Sequence, residues 1–110
     1  AALTELCGGT PAQAGHACAI ALQAQLGLVC DPVAGLVEIP CIKRNASGTT
    51  LAFMAAEMAL SGVIFEIPVD QVIDAMKEVG DSLPCSLRET AMGGLAATPE
   101  GRRLARQVFS

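Results

Sequence analysis

Apolar residues return at helical spacing in four stretches of the chain, each bounded by residues that start or stop a helix. The first opens at Thr10-Pro11. Thr10 can cap, Pro11 fits the first helical position, and Gln13 stands three residues after the cap as in a capping box. Ala14, Ala17, Cys18, Ala21, Leu22, Ala24 and Leu26 then cover most of a circumference, which predicts a helix to about Leu26, sandwiched between others and closed by Gly27. The second stretch runs from about Cys41 to Leu60. Ile42, Ala46, Thr49, Thr50, Phe53, Met54, Ala56, Met58 and Leu60 keep its period, with Pro40 suited to the first turn, Gly48 a weak point inside and Gly62 a stop. The third follows Pro68, where Asp70 suits the dipole and Val72, Ile73, Met76 and Val79 form a stripe opposite Asp74, Lys77 and Glu78, so one side faces water. The fourth is opened by Thr98 as cap and Pro99, and reaches about Phe109 with Arg102, Arg103 and Arg106 towards its C-terminal end.

The connections are equally readable. Asp31-Pro32, Gly35 and Pro40 break any regular element across residues 28 to 40, which leaves an irregular loop there. Val63-Ile64-Phe65-Glu66-Ile67-Pro68 reads as an extended connector whose apolar residues plug the core, too isolated to form a sheet. Leu83 to Thr90 can make one helical turn before Gly93-Gly94, where the backbone can bend or approach something closely. Leu3-Thr4-Glu5-Leu6 looks like the tail of a helix, and with Ala1 in place of an initiator Met this suggests a piece of a longer polypeptide. The fold class expected is all-α: a compact helical domain with an irregular Cys/Pro/Gly loop.

Composition sharpens this picture. A chain of 110 residues is one domain, able to bury roughly two thirds of its unfolded surface. Hydrophobic residues make up 52% but only Phe53, Phe65 and Phe109 are aromatic, so Ala, Leu, Ile, Val and Met must build a core of closely packed helices. A net charge of −4, with no basic cluster beyond Arg102, Arg103 and Arg106, argues against nucleic acid. Apolar runs are interrupted well short of the ~20 residues that cross a bilayer, so a soluble, cytoplasmic protein is expected.

Five cysteines are an odd count without the density of a disulfide-stapled domain, which favours reduced thiols or metal ligands. Cys30 and Cys41 stand apart from the rest because they bracket the proline-braced loop. Soft thiolates on a stiff loop are what an iron–sulfur cluster or a zinc ion needs, and Cys41 at a helix start sits at the positive end of the dipole, which favours an anionic cluster. The rival reading is two buried thiols acting as small hydrophobes, and spacing alone does not separate the two. A disulfide ranks last: closing so short a loop adds roughly 3 kcal/mol, in an oxidising compartment that nothing here suggests. Cys7, Cys18 and Cys85 are expected to be packing thiols. His16 is expected to be an exposed or satisfied helical side chain. Lys43-Arg44-Asn45 directly follows the second cysteine, so its donors could meet a carboxylate substrate or form a solvated first turn, and Arg88-Glu89-Thr90 is open to the same two readings.

The segment Gly27-Leu28-Val29-Cys30-Asp31-Pro32-Val33-Ala34-Gly35-Leu36-Val37-Glu38-Ile39-Pro40-Cys41-Ile42-Lys43-Arg44-Asn45-Ala46 closely resembles the cluster-binding segment of the iron–sulfur-dependent bacterial L-serine dehydratases, in their alpha (catalytic) domain or subunit. Arg88-Glu89-Thr90-Ala91-Met92-Gly93-Gly94-Leu95-Ala96-Ala97-Thr98-Pro99 resembles the same family near its C-terminus. The resemblance implies a [4Fe–4S] cluster held by three cysteines with one iron open to substrate, and Cys30 and Cys41 match two of those ligands. In the family the third lies in a glycine-rich cysteine loop well upstream, a motif this chain lacks, so residues 1–110 resemble the C-terminal part of the alpha domain. The implied reaction is dehydration of L-serine to pyruvate and ammonia without pyridoxal phosphate, in amino-acid degradation and gluconeogenesis. The implied partners are a beta domain or subunit and a larger assembly. Lys43, Asn45 and Thr90, near the matching motifs, are the candidates for lining the substrate pocket, and the general base is not identifiable. Two other readings remain: a non-catalytic helical fragment or interaction module with packed cysteines, and a small zinc- or cluster-binding protein of other function.

Overall fold

The computed structural model describes residues 1–110 and is built of helices and turns, with no β-strand. The helices are α1 (Ala2–Leu6), α2 (Pro11–Gln23), α3 (Cys41–Leu60), α4 (Val69–Ser82) and α5 (Pro99–Val108), and single 3₁₀ turns lie at Val33–Gly35, Cys85–Leu87 and Gly94–Ala97. None is long and apolar enough to cross a membrane. The all-α class holds, and α3 has the bounds expected from Pro40 and Gly62.

Two compact units divide the chain, and each takes two segments of it: Ala1–Gly27 with Ser47–Asp81, and Leu28–Ala46 with Ser82–Ser110. In the first unit α1 packs on α2. The predicted capping box starts α2: the Thr10 N–H donates to Gln13 Oε1 at 2.9 Å, and the Gln13 N–H to Thr10 Oγ1 at 3.2 Å. Gln13 Nε2 also donates to the Ala59 carbonyl of α3 at 3.3 Å, so one side chain both caps α2 and ties it to its neighbour. The buried residues are small: Ala17, Ala19 and Ile20 of α2, Ala55, Ala56 and Ala59 of α3, and Val72 of α4. His16 is satisfied, its Nδ1 accepting the Phe65 N–H at 3.2 Å.

Two expectations change in this unit. α2 ends at Gln23, and Leu26 lies exposed beyond it, because the chain leaves the helix through turns before Gly27. The Val63–Pro68 connector does not plug the core: Val63, Ile64 and Ile67 are exposed and only Phe65 is half-buried. On α4 the stripe is partly realised, with Val72 buried and Ile73 exposed, and the outer face carries a Lys77–Asp81 ion pair one turn apart.

Thr4 is wholly buried, and its Oγ1 finds no hydrogen-bond partner. An unpaired hydroxyl taken out of water costs about 1–3 kcal/mol, whereas a methyl of the same shape costs nothing there. Thr4→Val is therefore expected to stabilise the full-length protein by about 1 kcal/mol, read as a higher urea midpoint at unchanged slope.

In the second unit α5 packs against the turns at Val33–Gly35 and Gly94–Ala97, which also touch each other. Thr98 caps α5 as expected, accepting the Gly101 N–H at 3.1 Å, and Pro99 takes the first position. Gly101 has no room for a side chain, because a Cβ there would stand 2.4 Å from the Leu95 carbonyl oxygen. That contact seats α5 directly on the glycine-rich segment before it.

Candidate metal centre and the adjoining cleft

Cys30 is fixed through its backbone. Its N–H donates to the Leu87 carbonyl at 3.0 Å and its carbonyl accepts the Glu89 N–H at 2.7 Å, the two bonds of an isolated parallel bridge to Arg88. The two motifs that stood 58 positions apart in the sequence are thus one piece of structure. The Glu89 carboxylate is brought near enough to act on the Cys30 thiol.

Asp31 is the anchor of the loop. It is buried, 2% exposed, and its Oδ2 accepts the Leu95 N–H at 2.6 Å while Oδ1 accepts the Arg44 guanidinium. Arg44 also donates to the Val29 carbonyl at 3.0 Å. Burial alone would push the Asp31 carboxyl up, but the Leu95 N–H and the Arg44 charge outweigh it and hold the group below its ordinary range. Because Arg44 stands on α3 three residues after Cys41, this ion pair draws the loop bearing Cys30 towards the helix bearing Cys41.

Gly94 makes the clamp possible. Its φ of +58° is a left-handed conformation that suits glycine, and a Cβ would sit 2.3 Å from Asp31 Oδ2. The loop is closed from its other end by the Val33 N–H to the Ile39 carbonyl at 2.8 Å and the Ile42 N–H to the Val37 carbonyl at 3.2 Å, with a cis peptide bond at Ile39–Pro40.

Cys30 and Cys41 are half-buried free thiols, close enough that the charge of Cys41 acts on Cys30. Burial pushes the Cys30 thiol up, Glu89 and Cys41 push it further, and Arg44 pulls against them. The site is crowded with negative charge once its sulfurs ionise. Cys7 and Cys85 are exposed, which removes them from the packing role expected of them, and Cys18 is half-buried on α2. No group of three or more His, Cys, Asp or Glu side chains is arranged to hold a metal ion.

The other candidates separate. Lys43 Nζ donates to the Glu38 carbonyl at 3.3 Å and Asn45 Nδ2 to the Cys41 carbonyl at 3.1 Å, so both brace the loop and the start of α3. Thr90 donates its hydroxyl proton to the Cys85 carbonyl at 2.8 Å and lines an open cleft of about 790 Å³. Ala34, Gly35, Met92, Arg102 and Arg106 line the same cleft, which neither Lys43 nor Asn45 reaches. Three non-glycine residues here, Ala34, Glu89 and Ala91, have φ of 59°, 65° and 56°. Such strain costs of order 1–3 kcal/mol per residue and gathers where function fixes the backbone.

The sequence offers Asp31 only as part of a loop-breaking pair and the arginines of α5 only as a small basic cluster, with no site role for either. Asp31 carried a signal, a carboxylate beside a cysteine and a proline, but its partner Leu95 lies 64 residues away.

Comparison with known proteins places this geometry in context. The profile of the family described as Serine dehydratase alpha chain matches residues 1–96. The chain is 59% identical over 109 residues to a Probable L-serine dehydratase, alpha chain, of Bacillus subtilis (strain 168), covering 99% of this chain and 36% of that protein. It is 56% identical over 109 residues to a protein of the same description from Latilactobacillus sakei, 99% and 52%. To the L-serine dehydratase, alpha chain, of Peptoniphilus asaccharolyticus it is 53% identical over 109 residues, 99% and 37%. The chain thus spans between about a third and half the length of these relatives. No solved structure matches it.

Proposed function

This chain belongs to the serine dehydratase alpha chain family, and from that membership we propose that it supplies two cluster ligands and part of the substrate site of an L-serine dehydratase. The observation that carries the reading is the convergence of Cys30 and Cys41, with ten residues of loop between them, into electrostatic reach of each other beside the Asp31–Arg44 clamp. The donors are the Cys30 and Cys41 thiols, and the Glu89 carboxylate and Cys41 both resist ionisation of Cys30 until a cation offsets them. That donor set fits part of a [4Fe–4S] centre. With two sulfurs it fills two places of three, and the third ligand is proposed to lie in a part of the protein outside residues 1–110.

Loaded with such a cluster, the site gains a Lewis acid suited to the dehydration of L-serine to pyruvate and ammonia. The residues of this chain have simpler tasks. Cys30 and Cys41 give up their protons to solvent on ligation, and Arg44 favours the anion at Cys30. Asp31 and Gly94 hold the loop at the right height over Leu95. Of the three substrate candidates, Thr90 lines a cleft next to the bridge that fixes Cys30, while Lys43 and Asn45 shape the loop. A companion beta domain or subunit, a larger assembly and a cytoplasmic setting belong to the same reading.

The test is anaerobic reconstitution of the full-length enzyme with iron and sulfide. A brown protein that forms pyruvate from L-serine is expected, losing activity in air and regaining it with ferrous iron and a reductant. A colourless protein, or one whose cluster-free form remains active after prolonged aeration, defeats the proposal in favour of packed thiols.

A further inference from the structure

The wall that α5 gives to the cleft is cationic, in a chain whose net charge is −4. Arg102 and Arg106 lie one helical turn apart and so share a face of α5, and both line the cleft. Arg103 is different: it is tied to Glu100 on its own helix and does not line the cleft. The ion pairs of the chain are Arg44–Asp31, Lys77–Asp81 and Arg103–Glu100, and none takes up Arg102 or Arg106.

Two like charges one turn apart repel, and Arg102 also stands in the first turn of α5, near the positive end of the helix dipole, where a cation is disfavoured. An anion between the two guanidiniums offsets both costs. The rest of the lining is mainly apolar, Ala34, Gly35 and Ala97 together with Met92 and Phe109, and includes Thr90, whose hydroxyl proton is engaged by the Cys85 carbonyl, which leaves its oxygen with acceptor capacity only. Forked donors in a lining that is otherwise mainly apolar suit a short organic acid better than a fully charged inorganic oxyanion.

We propose that this cleft binds a small organic carboxylate, a 2-amino or 2-oxo acid of about three carbons, through Arg102 and Arg106. The choice of acid rests on the dehydratase reading, whereas the arginine pair does not. The family profile ends at residue 96, before α5 begins, so the two arginines are an addition to the part of the chain that the profile describes. The alpha chain relatives align over 109 of the 110 residues and therefore through α5. Arg102 and Arg106 are binding residues here, with the carboxylate arriving as substrate or lingering as product.

The test uses the full-length alpha chain with its companion, free of cluster, in isothermal titration with L-serine, sodium pyruvate and inorganic phosphate at low salt. Binding of at least one of the two organic acids is expected, weakened at least tenfold by the double substitution Arg102→Gln with Arg106→Gln and partly restored by lysine at both positions. Arg103→Gln should leave it unchanged. Binding confined to L-serine assigns the cleft to substrate, and binding of pyruvate assigns it to product. Equal affinity in the wild type and the double glutamine variant, with matching circular dichroism, overturns the site, as does binding of phosphate alone. Dehydration by the reconstituted enzyme is measured on the same preparations. Loss of binding in the variant with no activity in the wild type would overturn the dehydratase reading and keep the site, and activity with binding indifferent to the variant would do the reverse.

Discussion

Replacing Cys30 or Cys41 by serine in the full-length enzyme is expected to remove the visible absorption of the reconstituted protein and to lower pyruvate formation by more than about a hundredfold, since loss of a mere outer partner of a metal ligand already costs 10–100-fold. A serine hydroxyl keeps the shape of the thiol but is a hard donor that stays protonated at neutral pH, so it cannot stand in for a soft thiolate. The two substitutions should give the same phenotype despite different surroundings, because Cys30 is held by the bridge to Arg88 whereas Cys41 begins α3. Cys7→Ser changes an exposed thiol in the other unit and serves as the control that should keep both colour and activity. If either loop variant retains its absorption, that sulfur is only packed and the proposed ligand set fails.

Much of the fold was legible because its signals are local. Pro40 and Gly62 mark the ends of α3, and Thr10 with Gln13 and Thr98 with Pro99 announce the starts of α2 and α5 within four residues each. The Val63–Pro68 run misled because it is apolar without a period, and hydrophobicity alone does not say which side chain finds cover. Among the candidate residues the loop cysteines stand out in the sequence by the proline-braced segment they bracket, although spacing alone does not separate ligands from packed thiols. The clamp does not, because Arg44 beside Cys41 reads equally well as a substrate donor or a solvated cation, and only the fold reveals that Asp31 has claimed it. The bridge between Cys30 and Arg88 and the cleft wall on α5 depend likewise on long-range closure, which no periodicity encodes.

Breaking the clamp should cost more stability than any other change in the second unit. Arg44→Met leaves the Asp31 carboxylate buried with the Leu95 N–H as its partner from outside the loop, and stranding a buried charge costs about 3 kcal/mol or more. Asp31→Asn is expected to cost less, about 1–2 kcal/mol, since the amide oxygen can still accept from Leu95 and Arg44, whose side chain is 29% exposed, can turn to water and to Val29. Gly94→Ala attacks the same point from the opposite side: its Cβ would meet Asp31 Oδ2 at 2.3 Å, and a left-handed alanine adds of order 1 kcal/mol of its own. Urea unfolding of the full-length protein measures each cost, and the Arg44→Met, Asp31→Asn cycle measures the coupling. The double variant should be more stable than the sum of the singles predicts by at least 1 kcal/mol, because the methionine no longer strands a charge once Asp31 is neutral. Additivity to within about 0.5 kcal/mol would mean that Asp31 and Arg44 act independently, and the loop would then need another reason to bring Cys30 to Cys41.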